Sequence, residues 1–383
     1  MTFFREEHEM FRKSVQDYLE KEVVPHVDEW ERAESFPREV FQRCGELGFL
    51  GAHYPEDVGG SGGDWWYAAA WGEALVRSRC AGLAMSLMVQ SDMATPIIGE
   101  LGTREQKDLF LAPALRGEKI AALAITEPGG GSDVAALRTT AVRDGDHYIV
   151  DGEKTFITSG LRADFLSVAV RTDSGNRGAG GVSLLLVEGD TPGLSRTPLK
   201  KMGWWASDTA HLRFDNCRVP VANLIGAEGK GFKAIMHNFN HERALMATLA
   251  CMYAQVCSEE ALDWARQRQT FGAPLAERQV IRHKLVDMAT RVETARALVY
   301  DLTWRLQQGL GPAEAMVART CMAKIVATQA MQFCADQAVQ ILGGMGFMRG
   351  TKSERIYREV KVMMIGGGSE EIMKDLAARQ LGV

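Results

Sequence analysis

The seven cysteines are scattered over 383 residues, odd in number and never spaced C-x-x-C. That pattern excludes a disulfide framework and a cysteine zinc site, and it points to a reducing compartment. No uninterrupted run of 18 or more apolar residues exists, so no membrane-spanning helix is expected. Basic residues are not in excess: 44 Lys and Arg stand against 49 Asp and Glu, for a net charge of −5. A surface for duplex nucleic acid needs a concentrated positive excess, which is missing here. The opening segment, MTFFREEHEMFRKSVQDYLEKEVVP, is amphipathic and acidic, unlike a signal or transit peptide, so a cytoplasmic location is expected. The eight histidines are read as offering neither H-x-x-x-H nor H-E-x-x-H spacing, and no metal site is expected. No G-x-S-x-G or Cys/His arrangement offers a nucleophile.

What is present is the composition of an ordinary soluble protein, 46% hydrophobic and 24% charged, long enough for two or three domains. Residues 1–120 read as helical. Met10, Val15, Tyr18, Leu19 and Val23 roughly follow helical spacing, and 68–88 is again helix-forming. The segment PEDVGGSGGD (55–64) is a loop, and Thr95-Pro96 marks a turn. Over 121–225 short β-branched stretches alternate with turns, including Asp144-Gly145 and Asp151-Gly152, and predict an antiparallel β domain. Over 226–383 the period is helical again, with helices expected at 231–268, 277–308, 312–343 and 369–381. This order lacks βαβ alternation and argues against a doubly wound nucleotide-binding fold. The expected class is α+β and multi-domain.

Five segments could carry chemistry. Thr126-Glu127-Pro128-Gly129-Gly130-Gly131-Ser132-Asp133 could bring backbone N–H groups against a ligand. It is neither a Walker loop nor a dinucleotide fingerprint, since Val134 stands where the third glycine belongs. Taken alone it serves equally well as a connector. In GFKAIMHNFNHERALMATLACMY, an apolar stripe runs through Phe232, Ile235, Met236 and Phe239, then Met246, Leu249, Ala250 and Tyr253. The missing members of that stripe are Glu242 and Arg243, which places both on the buried face. A buried carboxylate is costly unless paired or used, so Glu242 is either half of an internal ion pair or a functional group. Gly366-Gly367-Gly368 precedes Ser369, a natural N-cap followed by Glu370 and Glu371. Arg268 and Phe271 close a helix and could clamp a phosphate and stack on a planar ring. The fifth segment, Gln340-Ile341-Leu342-Gly343-Gly344-Met345-Gly346, ends another helix, and capping alone accounts for it.

Together, in this order, TEPGGGSD (126–133), GEKTFITSG (152–160), RQRQTFG (266–272), QILGGMGF (340–347) and IGGGSEEI (365–372) resemble the acyl-CoA dehydrogenase family along essentially the whole chain. The resemblance implies an N-terminal helical domain, a central β barrel-like domain and a C-terminal four-helix bundle. It also implies FAD held between subunits of a homotetramer. On that mapping Thr126, Phe156 and Thr158 lie by the isoalloxazine, and Ser132 serves both the cofactor and the acyl-CoA. Arg268 and Phe271 reach the FAD of a neighbouring subunit, while Gln340, Gly344, Ser369 and Glu371 match further FAD-contacting positions. Asn240 and Arg243 match positions near the CoA moiety.

The chain departs from the family pattern at two positions. Many members carry a catalytic Glu in the C-terminal loop, where Gly367 stands here. In a subset similar to isovaleryl-CoA and long-chain acyl-CoA dehydrogenases the base lies on the first bundle helix, and Glu242 occupies that place. Phe156 stands where Trp is common. The implied reaction is α-proton removal by Glu242, with the thioester carbonyl polarised by the Gly367 N–H, and β-hydride transfer to flavin N5, giving a trans-2-enoyl-CoA. Electron-transferring flavoprotein is the implied acceptor. HVDEWE (26–31), SDTA (207–210) and HERAL (241–245) are similar to citronellyl-CoA dehydrogenase-like members, which suggests a branched or a medium to long acyl chain. The alternatives are an acyl-CoA oxidase or flavin monooxygenase of the same fold, or a non-catalytic acyl-CoA-binding relative.

Overall fold

A computed structural model describes residues 3–173, 175–176 and 178–383. The chain opens with α1 (Glu6–Tyr18), α2 (Val27–Ala33), α3 (Glu39–Glu46), α4 (Trp65–Leu75), α5 (Ala81–Met88), α6 (Pro96–Leu101), α7 (Arg104–Gln106) and α8 (Ala112–Leu115). Val15, Tyr18, Leu19 and Val23 are buried as their spacing predicts, but Met10 faces solvent and Phe11 packs inward instead. The helix-forming stretch 68–88 is split between α4 and α5, because Arg79 adopts a left-handed φ of 59° between them. Pro96 opens a helix rather than a turn, at a position where its missing N–H has no partner to lose.

The strands are β1 (Ala121–Ala124), β2 (Thr140–Asp144), β3 (His147–Thr158), β4 (Phe165–Arg171), β5 (Val182–Glu188), β6 (Leu194–Pro198) and β7 (Thr209–Pro220). They form one sheet in the order β1-β4-β2-β3-β7-β6, with β5 paired to β4. Asp144 pairs with His147 across the expected hairpin turn. Asp151-Gly152 is not a turn. It lies inside β3 at a register shift against β7, where a Cβ on Gly152 would stand 2.6 Å from Thr139. The sheet is also not wholly antiparallel, since β1 runs parallel to β4. The β2–β3 hairpin between them is long enough to return the chain in the same direction.

The C-terminal part holds α9 (Gly231–Gln267), α10 (Gln279–Gln308), α11 (Ala313–Leu342), α12 (Gly344–Phe347), α13 (Lys352–Ile365) and α14 (Glu370–Leu381). Between α9 and α10, β8 (Gln269–Thr270) and β9 (Ala273–Pro274) form a small hairpin. The helix α13 was not expected. Thr351 caps it and Ile356, Val360 and Met363 are buried, a period obscured by glycines on both sides. The N-terminal helices and the bundle share one apolar core, with α9 running through it, while the inner face of the sheet has its own. The seven cysteines are buried and unpaired. Among the described residues no helix is long and apolar enough to cross a membrane.

Candidate active site

Glu242 and Arg243 leave α9 on the stripe that spacing predicts, with 8% and 5% of their surfaces exposed. Arg243 Nε donates to the carbonyl of Gly367 at 2.7 Å, and its Nη1 reaches Asn240 Oδ1 at 3.4 Å. The α9 stripe and the triple-glycine loop therefore meet. Gly367 takes a left-handed φ of 66°, and a Cβ there would stand 2.9 Å from Met246 Sδ and 3.3 Å from Glu242 Oε1. Any side chain at 367 would therefore begin crowded against Met246 and the Glu242 carboxyl. The N–H of Gly367 has no acceptor among the described residues. Burial pushes the Glu242 carboxyl above its ordinary range, and the charges of Arg243, Lys324 and His241 pull it back only in part.

Lys324 on α11 escaped the sequence reading. It is 1% exposed, and its ammonium donates to the carbonyls of Gly366 and Gly368, the latter at 2.6 Å. The signal was available. Lys324 falls on the stripe Cys321, Ala327, Thr328 and Met331, which is buried, so the argument that singles out Glu242 would have singled it out too. Ser369 caps α14 as expected, accepting from Ile372 N at 3.4 Å, and Glu371 stands in the first turn.

A second group gathers on the β domain. The Thr126–Asp133 loop is staked by a buried pair that the sequence reading missed: Lys154 Nζ donates to Glu127 Oε1 at 2.8 Å and to the Ile125 carbonyl at 3.0 Å. Glu127 in turn accepts from the N–H groups of Arg138 and Thr139 at 2.7 and 2.9 Å. The loop is thus more than a connector, and Gly129 and Gly130 face open space. Thr155 N donates to the Thr126 carbonyl at 2.9 Å, which brings the loop beside Phe156 and Thr158. The register shift between Lys154 and Ile157 turns Phe156 outward, 70% exposed and at a φ of 62°. Ser132 is exposed on the same loop, and the buried Ser159 hydroxyl has no partner among the described residues.

Arg268, Phe271, Gln340 and Gly344 do not join either group. Phe271 is 99% exposed, and Arg268, Gln340 and Gly344 are also exposed. At 1.5 Å per residue, α9 carries its far end roughly 38 Å from Glu242, well beyond the reach of one dinucleotide. The Thr270 hydroxyl, next to Arg268 and Phe271 in the chain, is buried without a partner among the described residues.

The histidines differ from expectation. His237 and His241 stand four residues apart on α9, an H-x-x-x-H spacing passed over in expecting no metal site. They do not act together: His237 Nε2 is 3.2 Å from Glu100, whereas His241 turns to the buried Asp92.

Models of the N-terminal, middle and C-terminal domains of acyl-CoA dehydrogenases match residues 5–118, 122–217 and 229–382. The chain is 38% identical over 380 residues to the mitochondrial long-chain specific acyl-CoA dehydrogenase of Rattus norvegicus, covering 99% of this chain and 87% of that one. It is 35% identical over 381 residues to a 3-(aryl)acrylate reductase of Clostridium sporogenes, covering 99% of both. A putative acyl-CoA dehydrogenase from Mycobacterium smegmatis superposes with a TM-score of 0.96 at 46% identity, covering 100% of this chain and 99% of that one.

Proposed function

The chain belongs to the acyl-CoA dehydrogenase family and is an oxidoreductase of that class, and from this premise we propose that it desaturates an acyl-CoA thioester with Glu242 as the base. One observation supports this above the others: a buried carboxylate of raised pKa lies against a glycine whose N–H is unsatisfied. A thioester carbonyl accepting from the Gly367 N–H has its α-proton acidified, because the enolate-like charge is stabilised where it develops. Glu242 takes that proton, and an apolar acyl chain filling the site keeps the carboxylate desolvated and basic. Arg243, Asn240 and Ser132 would meet the CoA moiety.

The residues fit FAD. Two phenylalanines, Phe156 and Phe271, are held outward on left-handed backbone, and two buried hydroxyls, Ser159 and Thr270, lack partners. Exposed aromatic rings and spare donors around glycine loops suit a large planar ring joined to a diphosphate. Thr126, Phe156, Thr158, Ser132, Ser369 and Glu371 would hold it in one chain. Arg268 and Phe271 lie too far from Glu242 for that and would serve the FAD of a second copy, as in a homotetramer, with Gln340 and Gly344 as further FAD-contacting positions. When bound, FAD supplies the acceptor for the β-hydrogen, which leaves with its electron pair as hydride and yields the trans-2-enoyl-CoA. An electron-transferring flavoprotein is the proposed partner that takes the electrons onward, and a branched or medium to long acyl chain is the proposed substrate.

The test is an anaerobic titration of the flavin spectrum with straight medium and long acyl-CoAs and a 3-methyl-branched one. Bleaching by one class supports dehydrogenation and ranks the chains. Turnover with oxygen alone would shift the reading to an oxidase. Protein that takes up no FAD would overturn it.

A further inference from the structure

The peptide unit that presents the Gly367 N–H is held from behind by a lysine. A peptide unit is planar, so the C=O of Gly366 and the N–H of Gly367 point in opposite directions as one rigid body. Lys324 donates to that C=O and also to the carbonyl of Gly368, and Arg243 donates to the carbonyl of Gly367 between them. Three successive glycine carbonyls are thus gripped by two cations. Gly367 and Gly368 adopt φ of 66° and 113°, conformations in which an unheld glycine chain is soft.

We propose that Lys324 is a positioning residue for the reaction: by holding the Gly366 carbonyl it aims the Gly367 N–H at the substrate's thioester oxygen. This rests on the reaction proposed above. The groups facing the ammonium are Glu242 and Arg243 from α9 and Cys321 from its own helix. Burial, offset in part by Glu242, lowers its pKa to about 8. The charge is therefore complete below that pH and lost as pH rises through it.

The experiment compares wild type, Lys324→Met and Lys324→Arg as FAD-loaded enzymes. The readouts are kcat, KM and the infrared carbonyl stretch of a bound enoyl-CoA labelled with carbon-13 at the thioester carbon. Wild type should lower that stretch relative to free ligand. Lys324→Met should lose most of the lowering and about 10²-fold in kcat, the scale of a lost oxyanion donor, with KM changed less than about threefold. Wild-type kcat/KM should also fall as pH rises through about 8, a limb that Lys324→Arg removes because its charge persists. If Lys324→Met fails to fold, the Arg variant's pH profile decides. An active wild type with an intact stretch in Lys324→Met, or an unchanged limb in Lys324→Arg, overturns the positioning role alone. A wild type that turns over no acyl-CoA overturns the reaction as well.

A separate cluster carries a second inference. His53, in the turn after α3, Asp92, in the helical turn after α5, and His241 on α9 converge, with their donor atoms within 4.8 Å of one another. Both imidazole Nε2 atoms stand 3.3 Å from Asp92 Oδ1. That is long for a charge-assisted hydrogen bond. For these two pairs it equals the edge, about 3.3 Å, of a tetrahedron with metal–ligand bonds of roughly 2.0–2.1 Å, and the two imidazoles, within 4.8 Å of each other, would close onto the same ion. Asp92 is fully buried, and its other oxygen accepts from Ser91 Oγ at 2.5 Å, which itself accepts from Trp71 Nε1 at 3.1 Å. Such outer partners orient a ligating carboxylate. The geometry points to a divalent zinc-type site of two imidazoles and one carboxylate, tying the N-terminal helices to α9 one residue before Glu242.

Zinc added to the metal-stripped, FAD-loaded protein should bind at one equivalent per chain against a chromophoric chelator and raise Tm. The double variant His53→Gln/His241→Gln should lose both effects, whereas His237→Ala, whose imidazole faces Glu100, should keep them. Wild type that retains no zinc, or a double variant that retains as much, overturns the site and leaves a hydrogen-bonded cluster only.

Discussion

The two glycine loops of this protein each rest on a buried lysine, and the two lysines meet different partners. Under the Thr126–Asp133 loop, Lys154 touches Glu127 at 2.8 Å, and that carboxylate belongs to the loop itself. Under Gly366–Gly368, Lys324 touches only carbonyls, and the carboxylate it feels, Glu242, is not its hydrogen-bond partner. Burial lowers both ammonium groups to about 8. A charge already paired holds architecture. A charge paired only to backbone still acts on the next ionisable group, and here that group is the proposed base. The contrast extends to the two carboxylates. Burial leaves Glu242 above its ordinary range, whereas Glu127, also penalised by burial, is held below it by Lys154 and the groups of Thr139.

The largest expected effect breaks the catalytic side of this comparison. Glu242→Gln should lower turnover by about 10³–10⁴-fold while FAD content and Tm stay near wild type; steady-state kinetics within tenfold of wild type would remove Glu242 as the base. Next, Lys154→Met should leave Glu127 buried without its cation and cost about 3 kcal/mol, read from denaturant midpoints. A loss below about 1 kcal/mol would mean that the pair is not what holds the first loop. Gly367→Ala should reduce kcat by about 10²-fold, since its Cβ meets Met246 Sδ at 2.9 Å on left-handed backbone and must displace the N–H.

The two carboxylates should also separate on acidification. Glu242 must be ionised to act, so activity is lost as pH falls through its raised pKa while the fold persists. Glu127 has a depressed pKa, so its contribution to stability is complete above the ordinary carboxylate range and lost only as pH falls below it. Circular dichroism and kcat/KM measured over one pH series should therefore show inactivation before unfolding, and coincident curves would break the comparison. The smallest effect belongs to Ser369→Ala, which removes the α14 cap and should cost about 1 kcal/mol in thermal unfolding.

Much of this could be read in the chain. Glu242 and Arg243 stood out because charges interrupt an apolar stripe of fixed period, and the structure buries both. The hairpin at Asp144-Gly145 and the cap at Ser369 followed from local backbone chemistry. Asp151-Gly152 misled because the same dipeptide serves a bulge when the opposite strand approaches closely, and only pairing with Thr139 and β7 distinguishes the two. Lys324 sat on a buried helical stripe, where the argument used for Glu242 applies equally, whereas Lys154 sat on a strand, where a long amphipathic side chain gives no such mark. His53 and Asp92 carried no signal, since nothing local relates a turn residue to one on a neighbouring helical segment.

Helical and strand periods, turn dipeptides and the order of the glycine motifs were set by the sequence by itself, because each depends on residues within a few positions of one another. Which groups share a site was decided only by tertiary structure. Gly366 and Lys324 are 42 residues apart, Lys154 and Glu127 are 27, and His241 and Asp92 are 149. Charge, burial and pKa are properties of those meetings, and they exist only once the chain has closed on itself.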